Sequence, residues 1–195
     1  MVRLLIVTNV LVYVLQLGAA DALLADFALW PPGRHTVPEL GRTVGFEPWQ
    51  LLTSSFLHGG LAHLGLNMFA LWMFGRDVER VLGAVRFAQL YFTSVLAAGL
   101  AELAVVTFLS AGSPYPTVGA SGGVFGVLLA FGLMFPNRTL VLLFPPIPMP
   151  AWIFVTLYGV VELLNGVFGT AAGVAHFAHL GGMLGAFLWL RRWRR

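Results

Sequence analysis

Two side chains that could carry out nucleophilic chemistry, Ser121 and His179, each lie in a run of small residues. Ser121 belongs to the run GASGG at 119–123, and His179 belongs to the run AHLGG at 178–182. A serine hydroxyl is a weak nucleophile until a neighbouring base removes its proton, and histidine is the commonest such base. Because small residues four positions apart let two helices approach closely, we expect these two runs to pack together and to bring His179 to Ser121.

Each of the two residues also has a purely structural interpretation. Ser121 could be an N-cap, His179 could form an interhelical hydrogen bond, and the glycines could serve ordinary helix packing. The free N–H groups and the positive dipole end of a helix that begins at Ser121 would also favour a developing anion, as acyl transfer requires.

Donors for such an anion are expected from His63 and Asn67, which are four residues apart and therefore share one helix face. Their structural alternative is hydrogen bonding to their own helix. No carboxylate is a natural third partner for His179, because Glu102 and Glu162 are expected near the outer ends of their segments as snorkelling or structural groups. We therefore expect a serine–histidine dyad rather than a triad.

The composition indicates that these residues lie in a membrane. Of 195 residues, 58% are hydrophobic and 10% charged, and the mean hydropathy is +0.86. Soluble domains carry about 25% charged residues, so a soluble domain, a disordered chain and a coiled coil are excluded. The chain has no cysteine, which excludes disulfides, thiolate zinc sites and a cysteine nucleophile.

Six apolar segments predict an all-α bundle of six transmembrane helices in one domain, residues 1–195. Each is close to the roughly 20 residues that span a bilayer, and they cover about 4–20, 57–75, 85–109, 121–136, 149–166 and 174–190. The first segment could instead be a signal peptide. The long first loop, 21–56, is rich in Trp and Pro and is expected to lie on the membrane interface.

The arginines predict the orientation. With both termini cytoplasmic in the cell membrane, nine of the eleven arginines lie inside, and only Arg34 and Arg42 lie outside. Counting from the inner ends then puts His63 roughly 18 Å and His179 roughly 17 Å above the inner boundary. Ser121 begins a short segment and reaches a similar depth, in the outer half of the bilayer.

With these residues assembled, the chain resembles the rhomboid intramembrane serine proteases from about Trp49 to Gly185. Three motifs carry the resemblance: GASG at 119–122 is similar to GxSG, HGGLAHLGLN at 58–67 is similar to HxxxxHxxxN, and AHLGG with Gly185 is similar to the sixth-helix histidine motif. Glu79 and Gly83 are similar to the family's turn before helix three.

The resemblance implies a six-helix fold, Ser121 as nucleophile, His179 as general base, and an oxyanion site made of the Ser121 N–H, His63 and Asn67. It implies supporting roles for Gly119, Gly122, Phe125 and Trp49, and makes the fifth span a candidate lateral gate. It further implies single-span membrane proteins as substrates, cleaved near the outer end of their helix within the lipid bilayer. No cofactor, metal or nucleic acid is expected.

The sequence departs from the family pattern at two positions. Gln50 follows Trp49 where the family has arginine, which weakens any charge role there. Phe125 replaces a tyrosine that packs on the histidine, and only the hydroxyl is lost. His176, one turn before His179, is expected to lie nearer the surface and to be solvated.

Several alternatives are weaker. A zinc protease needs HExxH, which is absent, and His176-x-x-His179 has no nearby carboxylate in sequence. An aspartyl protease needs two aspartates in spans, and the only acids in the predicted spans are Glu102 and Glu162. A transporter would normally show internal repeats, and none is evident in the sequence. A non-catalytic rhomboid-like protein, acting in binding or quality control, remains the principal alternative, although such proteins usually lack the serine or the histidine.

Overall fold

The computed structural model describes residues 1–108, 115–141, 146–169 and 175–193, and these are mostly helical. The helices are α1 (Val2–Gly18), α2 (Ala20–Phe27), α3 (Gln50–Thr53), α4 (Leu61–Leu82), α5 (Ala84–Phe108), α6 (Ser121–Met134), α7 (Ala151–Phe168) and α8 (His176–Trp193). Two antiparallel hairpins accompany them, β1 (Arg34–Val37) with β2 (Arg42–Gly45) and β3 (Thr139–Val141) with β4 (Pro148–Pro150). The fold is thus mostly helical, and the two short hairpins were not predicted from the sequence.

A long helix lies over each of the six predicted segments, with shifted bounds. The helix over the second predicted segment, α4, begins only at Leu61, because Gly59 and Gly60 are not helical. His58 therefore precedes the helix. It ends at Leu82, and the next residue, Gly83, has a φ of 77°, which favours glycine. Residues 109 and 174 of the predicted third and sixth segments, and Arg194 and Arg195, lie outside the described residues.

The first loop, 21–56, contains regular secondary structure. Helix α2, the β1–β2 hairpin and α3 all lie within it, and Trp30 is buried against Ala25 and Val44. The loop is joined to the segment before α6 by two backbone hydrogen bonds between Leu29 and Thr117, of 2.9 and 3.0 Å. The first loop therefore helps to hold the start of α6 in place.

Helices α5, α6 and α8 pack at backbone distance in the centre of the bundle. A Cβ on Gly182 of α8 would lie 2.0 Å from the carbonyl oxygen of Gly122 in α6, so these two helices meet without side chains between them. Gly181 and Gly185, on another side of α8, face α5 instead. A Cβ on Gly181 would lie 2.8 Å from the Ala97 carbonyl oxygen. The small residues thus form a junction of three helices.

Several arginines lie at one end of the bundle. Asp77, near the end of α4, accepts hydrogen bonds from Arg80 (2.7 Å) and from Arg138 (2.6 Å), which follows α6. Arg86, at the start of α5, lies over the ring of Trp193 at the end of α8. Helices α4, α6 and α8 therefore run in the same direction and end on the same, basic side.

The outer faces of the helices are apolar. Leucine, valine and phenylalanine side chains are exposed along α1 and α7, as lipid-facing residues are in membrane proteins. Within the described ranges, α5 and α7 are long and apolar enough to cross a membrane by length and composition alone, and α1 and α6 are shorter apolar helices.

Candidate active site

Ser121, the candidate nucleophile, is the first residue of α6. The turn before it depends on Gly119, which has a φ of 129° and donates its N–H to the Ser54 carbonyl oxygen at 3.0 Å. The Ser121 Oγ lies 2.8 Å from Nε2 of His179, which is on the first turns of α8. The close contact of α6 and α8 thus brings together the two residues that the sequence singled out.

The imidazole of His179 is covered by an aromatic ring from the same helix as the serine. Phe125 lies one turn after Ser121, and its ring is stacked on the imidazole with centroids 4.2 Å apart and planes inclined by 8°. Phe125 therefore occupies the position beside the histidine that the resemblance implied.

A carboxylate also contacts this histidine, and the expectation that none would is wrong. The Oε2 atom of Glu162 on α7 lies 2.8 Å from Nδ1 of His179 and 2.7 Å from Nδ1 of His176. His176 is buried, with 7% of its surface exposed, so its expected solvation is wrong as well. A depth count gives the level of Glu162 but not the direction of its side chain: it is 13 positions from the inner end of its segment, or roughly 20 Å, a depth similar to that of His179.

Glu162, His176 and His179 could also hold a metal ion, and they form the one such group within the described parts of the chain. One ligand atom from each of Glu162, His176 and His179 lies within 4.8 Å of the others. The carboxylate missing from the sequence argument against a zinc site is therefore present in space. The 2.7 and 2.8 Å distances are nevertheless those of direct hydrogen bonds between imidazole and carboxylate.

His63 reaches the same site from α4. A Cβ on Gly119 would lie 2.9 Å from Nε2 of His63 and 3.7 Å from the Ser121 Oγ, so both polar atoms border the same small space. The Gly59 N–H donates to Nδ1 of His63 at 3.3 Å, which leaves Nε2 as the protonated nitrogen. His63 therefore presents a hydrogen-bond donor beside the serine.

Asn67 is positioned less directly. It is buried, and its Nδ2 donates to the His63 carbonyl oxygen one turn earlier at 2.9 Å, which was its structural alternative. This bond uses one of the two amide hydrogens and leaves the other for a ligand.

Two buried glutamines hold the surrounding chain: Gln16, which the sequence argument overlooked, and Gln50, which it noted only as a departure from the family pattern. The side chain of Gln16 in α1 bonds the backbone of His58 twice, at 2.8 and 3.0 Å, and the His58 ring packs edge-on against His63. Gln50 is buried and accepts hydrogen bonds from the N–H groups of Trp30 and Glu47. A neutral amide thus orders the first loop at the position where the family pattern has arginine.

Trp49 lies away from this cluster of polar side chains. Its side chain is about half exposed, and its indole N–H donates to the Asp26 carbonyl oxygen at 2.9 Å. The contacts of Trp49 therefore belong to the outer face of the first loop.

A small cavity of about 30 Å³ adjoins Ser121. Its polar lining includes Ser54, Ser55, Glu102 and Thr117, whose hydroxyl donates to Glu102 at 3.4 Å. A space of this size with polar groups in its wall can hold one or two water molecules. The cluster thus combines a hydrogen-bonded serine, a histidine, a neighbouring donor and room for water, which are the components of acyl transfer to water.

The comparisons with known proteins agree on one family. The Rhomboid domain model matches residues 45–193. The chain is 37% identical over 141 residues to Rhomboid protein 1, mitochondrial, of Saccharomyces cerevisiae, covering 69% of this chain and 38% of that protein. It is 38% identical over 147 residues to Rhomboid protease GluP of Bacillus subtilis, covering 72% of this chain and 25% of that protein.

A third relative is the putative rhomboid protease YdcA of Bacillus subtilis, 28% identical over 144 residues, which are 73% of this chain and 65% of that protein. In all three relatives the matched region is less than two thirds of the whole protein.

Proposed function

Because the chain belongs to the rhomboid family, we propose that it is an intramembrane serine endopeptidase that cleaves single-span membrane proteins near the outer end of their helix. The observation that carries the proposal is the 2.8 Å contact between the Ser121 hydroxyl and Nε2 of His179. The Bacillus subtilis relative GluP is named a rhomboid protease, which supports the same activity.

In the proposed reaction, Ser121 attacks the substrate carbonyl carbon while its proton passes to Nε2 of His179. The carbonyl oxygen becomes an oxyanion, which the Ser121 N–H, the Nε2–H of His63 and the free amide hydrogen of Asn67 stabilise. His179 then protonates the leaving amine. Water from the cavity beside Ser121 attacks the acyl-enzyme with His179 as base, which releases the second product and restores the serine.

We further propose that six helices, α1 and α4 to α8, cross the membrane, with both termini cytoplasmic. The basic end of the bundle, where Arg80 and Arg138 bond Asp77, supports a cytoplasmic position for that end. Ser121 begins α6 and His179 lies near the start of α8, and both helices run toward this end, so both residues lie in the outer half of the bilayer. This topology limits substrates to bonds near the outer membrane face.

The alternative is a non-catalytic rhomboid-like protein that binds membrane proteins. It predicts that the serine is no more reactive than any other hydroxyl. The retained contact between Ser121 and His179 favours catalysis, since a binding protein has no need of an activated hydroxyl.

Labelling with a fluorescent fluorophosphonate separates the two functions. The probe should label purified wild-type protein and should not label Ser121→Ala, whereas Thr156→Ala, which removes an exposed hydroxyl of α7, should label like wild type. Cleavage of a reporter transmembrane substrate should follow the same pattern. Equal labelling of wild type and Ser121→Ala, or a folded wild type that is neither labelled nor active, would overturn the proposal.

A further inference from the structure

Glu162 occupies an unusual place on α7. Beyond Val155, it is the one residue of the described helix that is buried, while the residues around it are exposed or half-buried. A carboxylate in a transmembrane segment is costly unless it is paired, and both of its hydrogen bonds go to histidines of α8. The energetic reason for this burial therefore lies in His176 and His179.

The hydrogen-bond pattern fixes where the protons are. Because a carboxylate oxygen only accepts, both imidazoles must donate from Nδ1 to Oε2 of Glu162. Neutral His179 then carries no proton on Nε2, so this nitrogen must accept from the Ser121 hydroxyl. The contact with Glu162 thus selects the one tautomer that can serve as base.

From this geometry we infer that Glu162 is a positioning residue for His179, so that the site works as a serine–histidine–glutamate triad with His176 holding the carboxylate from a second side. The inference rests on the proposed function. During attack the serine proton moves to Nε2, and the positive imidazolium that forms lies 2.8 Å from the negative carboxylate, which keeps its charge throughout.

A purely mechanical role is the rival explanation. The two hydrogen bonds also fasten the second half of α7 to α8, and α7 buries little else there. A tether would affect stability and substrate binding, but it would not select a tautomer of His179. Three substitutions separate the roles: Glu162→Leu removes the acceptor, Glu162→Gln keeps an acceptor oxygen without the charge, and Glu162→Asp keeps the charge on a shorter side chain.

The test combines kinetics with ¹⁵N NMR of protein labelled at histidine, with the His179 signals identified by their loss in His179→Ala. Imidazole ¹⁵N shifts distinguish the Nδ1–H from the Nε2–H tautomer. Glu39→Gln, which removes an exposed carboxylate of the first loop, is the matched control and should match wild type in every measurement.

We expect Glu162→Leu to lower kcat by roughly 10²–10⁴ with KM changed less than about threefold. Without the acceptor at Nδ1, His179 can adopt the Nε2–H tautomer, which cannot accept the serine proton. Glu162→Gln should lower kcat by about 10- to 100-fold and keep the Nδ1–H tautomer, since only the charge is lost. Glu162→Asp should be more active than Glu162→Leu. If Glu162→Leu does not fold, the Gln and Asp variants carry the same comparison.

Two results would overturn the inference. One is a variant without the carboxylate that keeps wild-type kcat and loses only stability or KM. The other is a His179 that populates the Nε2–H tautomer in the wild type. The NMR measurement does not depend on catalysis, so its result remains decisive for Glu162 even if the wild type proves inactive and the proposed function fails.

Discussion

The ring of Phe125 lies nearly parallel to the imidazole of His179, at a centroid distance of 4.2 Å. Phe125 and Ser121 are one turn apart on α6, so a single helix supplies both the hydroxyl that His179 contacts and the surface against which its imidazole rests. The stacking fixes the plane of the ring, and the contact with Ser121 fixes its direction within that plane.

Removing this ring should weaken catalysis moderately. Aromatic pairs contribute about 0.5–1.5 kcal/mol, so Phe125→Leu is expected to lower kcat between about twofold and tenfold. Phe125→Tyr should keep wild-type activity because the stacked ring remains. The measurement is cleavage of a reporter substrate by purified enzyme, with the exposed Phe168→Leu as control. A Phe125→Leu enzyme as fast as Phe168→Leu would show that the stacking does not position the base.

The sequence predicted the residues whose neighbours in the chain are distinctive. Ser121 and His179 lie in glycine runs, and His63 is identified by its motif and its depth. The close approach of α6 and α8 follows from small residues spaced by four, which pack as expected at Gly122 and Gly182.

Glu162 was missed for a physical reason. In a soluble protein, the apolar face of a helix shows which side is buried. In α7 both the lipid-facing and the protein-facing sides are apolar, so the sequence does not reveal which way a residue points. The same holds for Gln16 in α1, whose partner His58 is 42 residues away. Contacts of this kind, which no motif or residue spacing indicates, follow only from the packed structure.

The two histidines of α8 should differ sharply in importance. His179→Ala is expected to reduce cleavage to background, because no other imidazole contacts the Ser121 hydroxyl among the described residues. His176→Ala should lower kcat by at most about tenfold, since it removes one hydrogen bond to the Glu162 carboxylate and leaves the other. Kinetics of both purified variants test this, and a swap of the two phenotypes would identify His176 as the base.

The oxyanion donors should also be unequal. His63→Ala is expected to lower kcat by roughly 10²–10³ with little change in KM, the usual effect of removing one preorganised donor. Asn67→Ala should have a smaller effect, because its amide is already bonded to the His63 carbonyl oxygen. His35→Ala, in the β1–β2 hairpin, is the control. If His63→Ala and Asn67→Ala both keep wild-type kcat, neither side chain contacts the oxyanion.

The contact between α6 and α8 should tolerate no added side chain. In Gly182→Ala the new Cβ would lie 2.0 Å from the Gly122 carbonyl oxygen, a backbone atom that cannot move alone. The helices must separate, at a cost of about 1–3 kcal/mol or more, and the Ser121–His179 contact widens with them. Thermal unfolding in detergent and fluorophosphonate labelling should both fall. Gly65→Ala, on an open face of α4, is the matched control and should be neutral or slightly stabilising.

Substrate helices should be cut where they unwind. A transmembrane helix can present a peptide bond to Ser121 only if its backbone opens locally, and in lipid this is tolerated only against protein or water. The polar side chains and the small cavity beside Ser121 offer such a place, and the tight space around Gly119 favours small residues at the cut. We therefore expect single-span substrates with an outer N-terminus, cleaved near the outer end of the helix.

A glycine and leucine scan through the outer turns of a reporter substrate, with the cut mapped by mass spectrometry, tests this. Glycines should speed cleavage and leucines should slow it; leucines that speed it, or a cut near the cytoplasmic end, would contradict the proposed position of the site.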